Sequence, residues 1–367
     1  MANLIIYGGS FDPIHNGHLR IANYASLKLN GDVIFVPAKS PRWKEVSADA
    51  KHRLKMLKIV LKGYAPSGSM ISKFELESNE EINYSIDTVR YFHNKYKRAK
   101  LFFLIGGDQV NKFSDWKDAE EIAKLAQIVF VPRPGIILNN NIISKYNMMN
   151  LEYFESGEVS SSEIRAGRYL DLPWEAINYI EKKRLYYISK LEKYVNEQRL
   201  LHSMEVAKLA YKIAKINKLD NPWKFYIAGL FHDIGKLSGD IQIDANKFMQ
   251  KHYPKYVSLP KFAYHQFIGA YIAEHDLGIK DKDILDAIRF HCTGKANMSK
   301  LGMVVYASDK IEPTRPFDSR FLINSCYRNW YQGFIDTLVD NKKYLLAHAK
   351  DIQNELTDEC FKMYIGD

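Results

Sequence analysis

Short apolar runs, spaced by helical patterns, open the chain. Leu4–Tyr7, Val33–Val36, Leu101–Ile105 and Ile128–Val131 are continuous hydrophobic stretches of the kind that form parallel strands buried on both faces. Between the first two, Leu19–Leu29 carries Ala22, Ala25 and Leu29 at helical spacing. This alternation predicts an α/β fold, a Rossmann-like doubly wound parallel sheet. After Pro173 the strand pattern fades. Val206, Leu209, Ala210 and Ile213 fall at i, i+3, i+4 and i+7, and helical patterns recur through Trp223–Phe231 and Phe267–Ala273. The second part therefore reads as all-α. A boundary near Tyr187 predicts domains over 1–187 and 188–367. The polar, pattern-poor Asn139–Phe154 reads as a surface loop, and the stretch beyond Phe321 as helix.

Composition supports two globular domains. The chain has 367 residues, and domains run to ~150 residues each. It is 46% hydrophobic and 13% aromatic, outside the disordered class. No run of apolar residues is long enough for a membrane span, and Met1 leads straight into a strand pattern, so neither a span nor a signal peptide is expected. The three cysteines, Cys292, Cys326 and Cys360, are far apart and odd in number, which suits a reducing cytoplasm rather than a disulfide framework. The net charge of +9 favours anionic ligands such as nucleotides. It is spread along the chain without a basic block, so it does not imply nucleic acid.

The strongest local signal is Gly8-Gly9-Ser10-Phe11-Asp12-Pro13-Ile14-His15-Asn16-Gly17-His18, lying between a predicted strand and a predicted helix. Gly8 and Gly9 let backbone approach a phosphate without a Cβ in the way. Asn16 is placed to cap the helix, whose free amides attract an anion. His15 and His18, three residues apart, can share one side of the turn and donate to charge building on a phosphate. Further on, Ser160 and Glu163 fit a capping box, and the helix they start brings Arg165 to a second phosphate site. Asp108, at a strand's carboxyl end, suits ribose hydroxyls, and Trp116 suits stacking on a pyridine ring.

The Gly8–His18 string resembles the HxGH nucleotidylyltransferase superfamily. Ile105-Gly106-Gly107-Asp108-Gln109 with Phe113 and Trp116, Val159–Arg165, and Leu172–Tyr186 make residues 1–187 similar to nicotinate mononucleotide adenylyltransferases. The resemblance implies transfer of the adenylyl group of ATP to nicotinate mononucleotide, with Mg²⁺ carried on the ATP. It implies catalytic roles for His15 and His18. It also implies nucleotide binding by Gly8, Gly9, Ser10, Phe11, Lys44, Tyr84, Thr88, Gly106, Asp108, Trp116, Arg133, Ser161, Ser162 and Arg165. Arg42-Trp43-Lys44 replaces the usual Pro-His-Lys, Gln109 the common asparagine and Ser85 the usual threonine, which leaves nicotinate versus nicotinamide mononucleotide open.

The second half holds His202, then His232-Asp233, His265, His291 and Asp309. Apolar neighbours on both sides bury the His-Asp pair, and unpaired buried polar groups cost ~1–3 kcal/mol. Metal ligation compensates for that cost. Four imidazoles and two carboxylates exceed one ion's needs, which suggests a dinuclear site bridged by Asp233 that clamps a phosphate. The order His…His-Asp…Asp resembles the HD phosphohydrolase superfamily. Arg199–Ser203, Leu230–Lys236, His291–Gly294 and Ser308–Arg315 are similar to bacterial symmetrical diadenosine tetraphosphate hydrolases. That resemblance implies hydrolysis of diadenosine tetraphosphate to two ADP, a dinuclear iron or manganese centre, and phosphate contacts from Lys236 and Arg315. Another nucleotide substrate, an alarmone or a nucleoside monophosphate, and a non-catalytic nucleotide-sensing module are alternatives.

Overall fold

A computed structural model describes residues 2–39, 47–80, 83–152, 160–347 and 354–366. The chain divides into two compact units, one of residues 1–165 with 171–183, the other of 166–170 with 184–367.

The first unit alternates strands β1 (Asn3–Gly9), β2 (Gly31–Pro37) and β3 (Met70–Ile71) with helices α1 (Asn16–Leu29) and α2 (Ala50–Tyr64). It continues with α3 (Ser85–Lys95), β4 (Lys100–Gly106), α4 (Gly107–Val110), α5 (Ala119–Leu125) and β5 (Gln127–Val131). Then come α6 (Asn140–Lys145), β6 (Met149–Asn150), α7 (Ser161–Ala166) and α8 (Trp174–Lys182). All strand pairs are parallel, in the order β3-β2-β1-β4-β5-β6. Leu4, Ile5, Ile6 and Tyr7 of β1 and Leu101–Ile105 of β4 are all buried, as strands covered on both faces require. The order reverses between β1 and β4, and a crevice opens beyond their carboxyl ends at such a switch point. Gly8-Gly9 ends β1 and Gly106-Gly107 follows β4, so both glycine pairs lie there.

Of Asn139–Phe154, the described residues 139–152 are not a plain loop, and the last two lie outside the described residues. Asn139 caps α6 through its side chain, which accepts a bond from the Asn141 backbone, and β6 pairs with β5. Tyr146 and Met148 are buried between them. A strand of two residues carries no period, so only its pairing with β5 reveals it.

The second unit is helical. Its elements are α9 (Tyr187–Leu191), α10 (Glu197–Ile216), α11 (Pro222–Phe231), α12 (Ala245–His252), α13 (Tyr264–His275) and α14 (Lys282–Phe290), followed by α15 (Lys300–Ile311), α16 (Arg320–Arg328), α17 (Trp330–Ala347) and α18 (Glu355–Ile365). Val206, Leu209, Ala210 and Ile213 are the buried face of α10. A second core, of Tyr306, Phe334, Leu338, Cys360 and Phe361, is shared by α15, α17 and α18. Gly235 and Gly269 allow the turn after His232-Asp233 to press against α13. A Cβ on Gly235 would stand 2.1 Å from the His265 carbonyl oxygen. No helix among the described residues is long and apolar enough to cross a membrane.

Candidate active sites

In the first unit, Gly8 can carry a Cβ without meeting any atom within 4 Å, whereas a Cβ on Gly107 would press on Val131 O at 3.0 Å. Gly107 therefore lets β4 and β5 converge, and Gly8 leaves backbone exposed to the crevice. Phe11 turns the chain at φ 46°. Its ring is buried and lies edge-on to His18 at 5.2 Å, so the ring supports the histidine.

The helix cap departs from expectation. His15, not Asn16, is the N-cap of α1. His15 Nδ1 accepts from His18 N at 3.4 Å, and His18 Nδ1 accepts from His15 N at 3.3 Å. This reciprocal capping box is made of two imidazoles, whose rings stack at 3.6 Å. Asn16 instead donates its side-chain amide to Asp171 at 2.6 Å. Because both Nδ1 atoms accept, each neutral ring carries its proton on Nε2. The turn thus presents two imidazole N–H donors beside the positive end of a helix dipole.

The start of α7 docks on the same turn. Ser160 Oγ accepts from Glu163 N at 3.2 Å. Ser161, buried, donates to Pro13 O at 3.3 Å. Arg165 donates to Asp12 O at 2.8 Å and to Ser162 Oγ at 3.1 Å. Asp12 is wholly buried and accepts from Ser47 N and Ala48 N.

Sequence reasoning missed Arg53. It is wholly buried, and its guanidinium donates to Ser10 O at 2.6 Å, Ala48 O at 3.1 Å and Lys39 O at 3.2 Å. An arginine inside the helical pattern of α2 looks like a surface residue until the fold places those carbonyls.

At the end of β4, Asp108 Oδ1 pairs with Arg133 Nε at 3.1 Å, and Gln109 donates to Asp108 Oδ2 at 2.6 Å. Trp116 packs half-buried against Phe103 and Phe113. Tyr84 is the N-cap of α3 and lies under Lys117. Thr88 is buried and donates to Glu75, so its hydroxyl orders a carboxylate. Burial raises the Glu75 carboxyl above its ordinary range. Lys44, with Arg42 and Trp43, and Val159 lie outside the described residues.

In the second unit, His202, His232, Asp233, His265, His291 and Asp309 converge in one buried cage. They come from α10, from the end of α11, from α13, from the end of α14 and from α15. Asp233 divides the cage. Its Oδ1 lies 3.2 Å from Nε2 of both His265 and His291. Its Oδ2 faces His232 Nε2 at 3.6 Å and His202 Nε2 at 3.9 Å. Asp309 Oδ1 closes the second side, 3.1 Å from His202 Nε2 and 3.5 Å from His232 Nε2.

Backbone carbonyls set the tautomers. Nδ1 of His232, His265 and His291 lies 2.6 Å, 2.6 Å and 2.8 Å from the oxygens of Gly229, Phe262 and Ile288. A carbonyl only accepts, so each Nδ1 holds the proton and each Nε2 turns a lone pair inward. His232 Nε2 is fully buried with no hydrogen-bond partner, and His265 and His291 set Nε2 against Nε2 at 3.1 Å. Buried acceptors aimed at one another are costly without a cation between them. This donor set, imidazole and carboxylate, fits divalent transition metals.

Burial opposes ionisation of Asp233 and Asp309, yet the histidines around both, with Lys310 beside Asp309, hold each carboxyl well below its ordinary range. Burial pushes His291 down to about 3 and lowers His265. Burial also disfavours the His202 cation, but Asp309 and Glu312 together raise it. Around the carboxylates stand Arg199, at 2.6 Å from Asp233 Oδ2, and Arg315 and Lys310, each at 2.8 Å from Asp309. Lys236 is exposed on the turn after Asp233, close enough for its charge to act on His265. Arg199 and Glu312 escaped the sequence reading because polar residues flanking a motif carry no period.

Residues 6–167 match the cytidylyltransferase-like family and residues 199–314 the HD domain family. A protein of Mycoplasma genitalium named "Probable nicotinate-nucleotide adenylyltransferase/Ap4A hydrolase" is 34% identical, over 97% of this chain and 99% of its own length. A Mycoplasma pneumoniae protein of the same name is 30% identical, over 85% of this chain and 89% of its own. A solved Plasmodium falciparum nicotinic acid mononucleotide adenylyltransferase, complexed with NaAD, aligns with a TM-score of 0.45 at 23% identity, over 51% of this chain and 98% of that one.

Proposed function

Because the chain belongs to the family of paired nicotinate-nucleotide adenylyltransferase/Ap4A hydrolases, we propose that its first unit adenylylates nicotinate mononucleotide and its second cleaves diadenosine tetraphosphate to two ADP. The observation that carries this reading is the opposite wiring of the two sets of imidazoles. His15 and His18 present N–H donors, as an anion requires. His232, His265 and His291 present lone pairs, as a cation requires.

In the first unit, a phosphate oxygen of the mononucleotide attacks the α-phosphorus of ATP in line. The bond from that phosphorus to the β-bridging oxygen breaks, and pyrophosphate leaves with the bonding pair. Backbone at Gly8, Gly9 and Ser10 approaches the triphosphate, and the His15 and His18 N–H groups follow the charge as it moves to the leaving group. Ser161, Ser162, Arg165 and Lys44 complete the phosphate contacts. Asp108 and Gly106 take the ribose, with Arg133 beside them. Trp116, Tyr84 and Thr88 belong to the mononucleotide side, and Mg²⁺ arrives on ATP.

In the second unit, His202, His232, Asp233 and Asp309 would hold one ion and His265, His291 and Asp233 the other. When bound, a pair of iron or manganese ions supplies Lewis acidity to a bridging phosphate and activates water. Lys236, Arg199, Lys310 and Arg315 offset the charge of the polyphosphate. We assign the chain to the cytoplasm, where its free thiols stay reduced.

Product analysis on the purified full chain tests both halves. ATP with nicotinate mononucleotide should yield the dinucleotide and pyrophosphate. Diadenosine tetraphosphate with Fe²⁺ or Mn²⁺ should yield ADP alone. Formation of ATP plus AMP, or turnover only of other nucleotides, rejects the second assignment. Equal use of nicotinamide mononucleotide rejects the acid preference of the first.

A further inference from the structure

Resting on the two-ion reading of the cage, we propose that Glu312 is a positioning residue that makes the His202 side the tighter of the two metal subsites. Three of the four cage imidazoles are backed by neutral carbonyls, those of Gly229, Phe262 and Ile288. His202 differs: its Nδ1 lies 3.1 Å from Glu312 Oε1. A carboxylate behind an imidazole draws the Nδ1 proton towards itself and raises the donor strength of the opposite nitrogen more than a carbonyl does. That opposite nitrogen, His202 Nε2, faces Asp309 and Asp233 within the cage.

Glu312 is built for this placement. It is buried, and its carboxylate accepts from Thr314 N at 2.6 Å and from Thr314 Oγ1 at 2.8 Å. These bonds orient the carboxylate while it meets His202. Glu312 also comes from the residues just beyond α15, whose last turn carries Asp309, so one short segment supplies both a ligand and the support of another ligand. The donor count points the same way. The His202 side gathers four donors, His202, His232, Asp233 Oδ2 and Asp309 Oδ1. The other side has His265, His291 and Asp233 Oδ1, which leaves positions for water and substrate. A four-donor, carboxylate-backed subsite beside a three-donor, carbonyl-backed one predicts ordered loading, with the His202 side occupied first.

Titration of the metal-free full chain with Mn²⁺, followed by electron paramagnetic resonance of free and bound ion, tests this. The wild type should bind two Mn²⁺ in two classes of unequal affinity. Glu312→Gln keeps the shape, removes the charge and leaves one acceptor oxygen for His202 and Thr314 in place of two. It should weaken the tighter class ~10–100-fold and leave the other class unchanged. Thr314→Val, which keeps Glu312 but loosens it, should weaken the same class by less, and it carries the test should the first variant not fold. Equal weakening of both classes, or unchanged affinities in both variants, overturns the role of Glu312. A wild-type chain that binds one Mn²⁺ or none overturns the two-ion reading itself, and the proposal with it.

Discussion

Arg53→Met probes how the first unit holds its phosphate-binding turn. The guanidinium donates to three carbonyls, buried Ala48 and half-buried Ser10 and Lys39. Hydrogen bonds from a charged donor contribute ~1.5–3 kcal/mol each, which sets a ceiling of about 4–9 kcal/mol. Removing a wholly buried cation also removes its desolvation penalty, and three carbonyls left short of a donor cost ~1–3 kcal/mol each, so the net cost is ~3–5 kcal/mol. Methionine keeps most of the volume, so the cavity contribution stays small. For a unit of this size that loss lowers the midpoint of thermal unfolding by roughly 6–20 °C. Residual adenylyl transfer after graded urea or heat exposure reports the first unit, and diadenosine tetraphosphate hydrolysis in the same sample serves as the internal control. Below the transition, kcat/KM for ATP should fall at least ~10-fold, because Ser10 loses its anchor. Arg53→Lys should rescue little, since one ammonium cannot reproduce a planar fork. A methionine variant within ~1 kcal/mol of wild type, with unchanged kcat/KM for ATP, would refute the reasoning.

Three further outcomes follow from the same geometry. Gly8→Leu should fold normally, since its Cβ meets nothing within 4 Å, but should raise KM for ATP at least ~10-fold in steady-state assays without affecting hydrolysis. Gly235→Ala should destabilise the second unit by ~1–3 kcal/mol and cut hydrolysis, because its Cβ would stand 2.1 Å from His265 O and 2.5 Å from Gly269 N; urea midpoints and both activities check this. The metal-free second unit should lose stability as pH falls from 6.5 towards about 3, because the unfolded chain protonates His291 and His265 in that window while the folded one resists. His202, raised in the folded state, works the other way only above 6.5. Urea midpoints at pH 7 and pH 5 in chelator would read this, and an unchanged or higher midpoint at pH 5 would count against the buried neutral imidazoles.

Much of this was legible in the chain, for physical reasons that differ by element. The long strands β1, β2, β4 and β5 are continuous apolar runs, and burial on both faces leaves that mark directly. The convergence of the cage was legible because a His-Asp pair within apolar helix demands partners, and the ordered His202, His265, His291 and Asp309 are what the fold brings against it. Asn16 was misread because a capping asparagine is the common case, whereas here His15 and His18 cap each other and Asn16 is drawn to Asp171, remote in sequence. The packing of the Phe11 ring was not legible for a related reason: its position in the motif is local, but the contacts that bury the ring are not. Arg53, Arg199 and Glu312 were invisible because their roles depend on which carbonyls, carboxylates and imidazoles the fold sets opposite them.

On the proposed function, two sets of histidines, wired in opposite tautomers, serve two separable chemistries in one chain. The most direct measurement is a crossed assay of both activities in His18→Ala and His291→Ala of the full chain. The account predicts that His18→Ala loses at least ~100-fold in adenylyl transfer and keeps diadenosine tetraphosphate hydrolysis, and that His291→Ala does the reverse. Parallel loss of both activities in either variant, or retention of hydrolysis in His291→Ala, would contradict it.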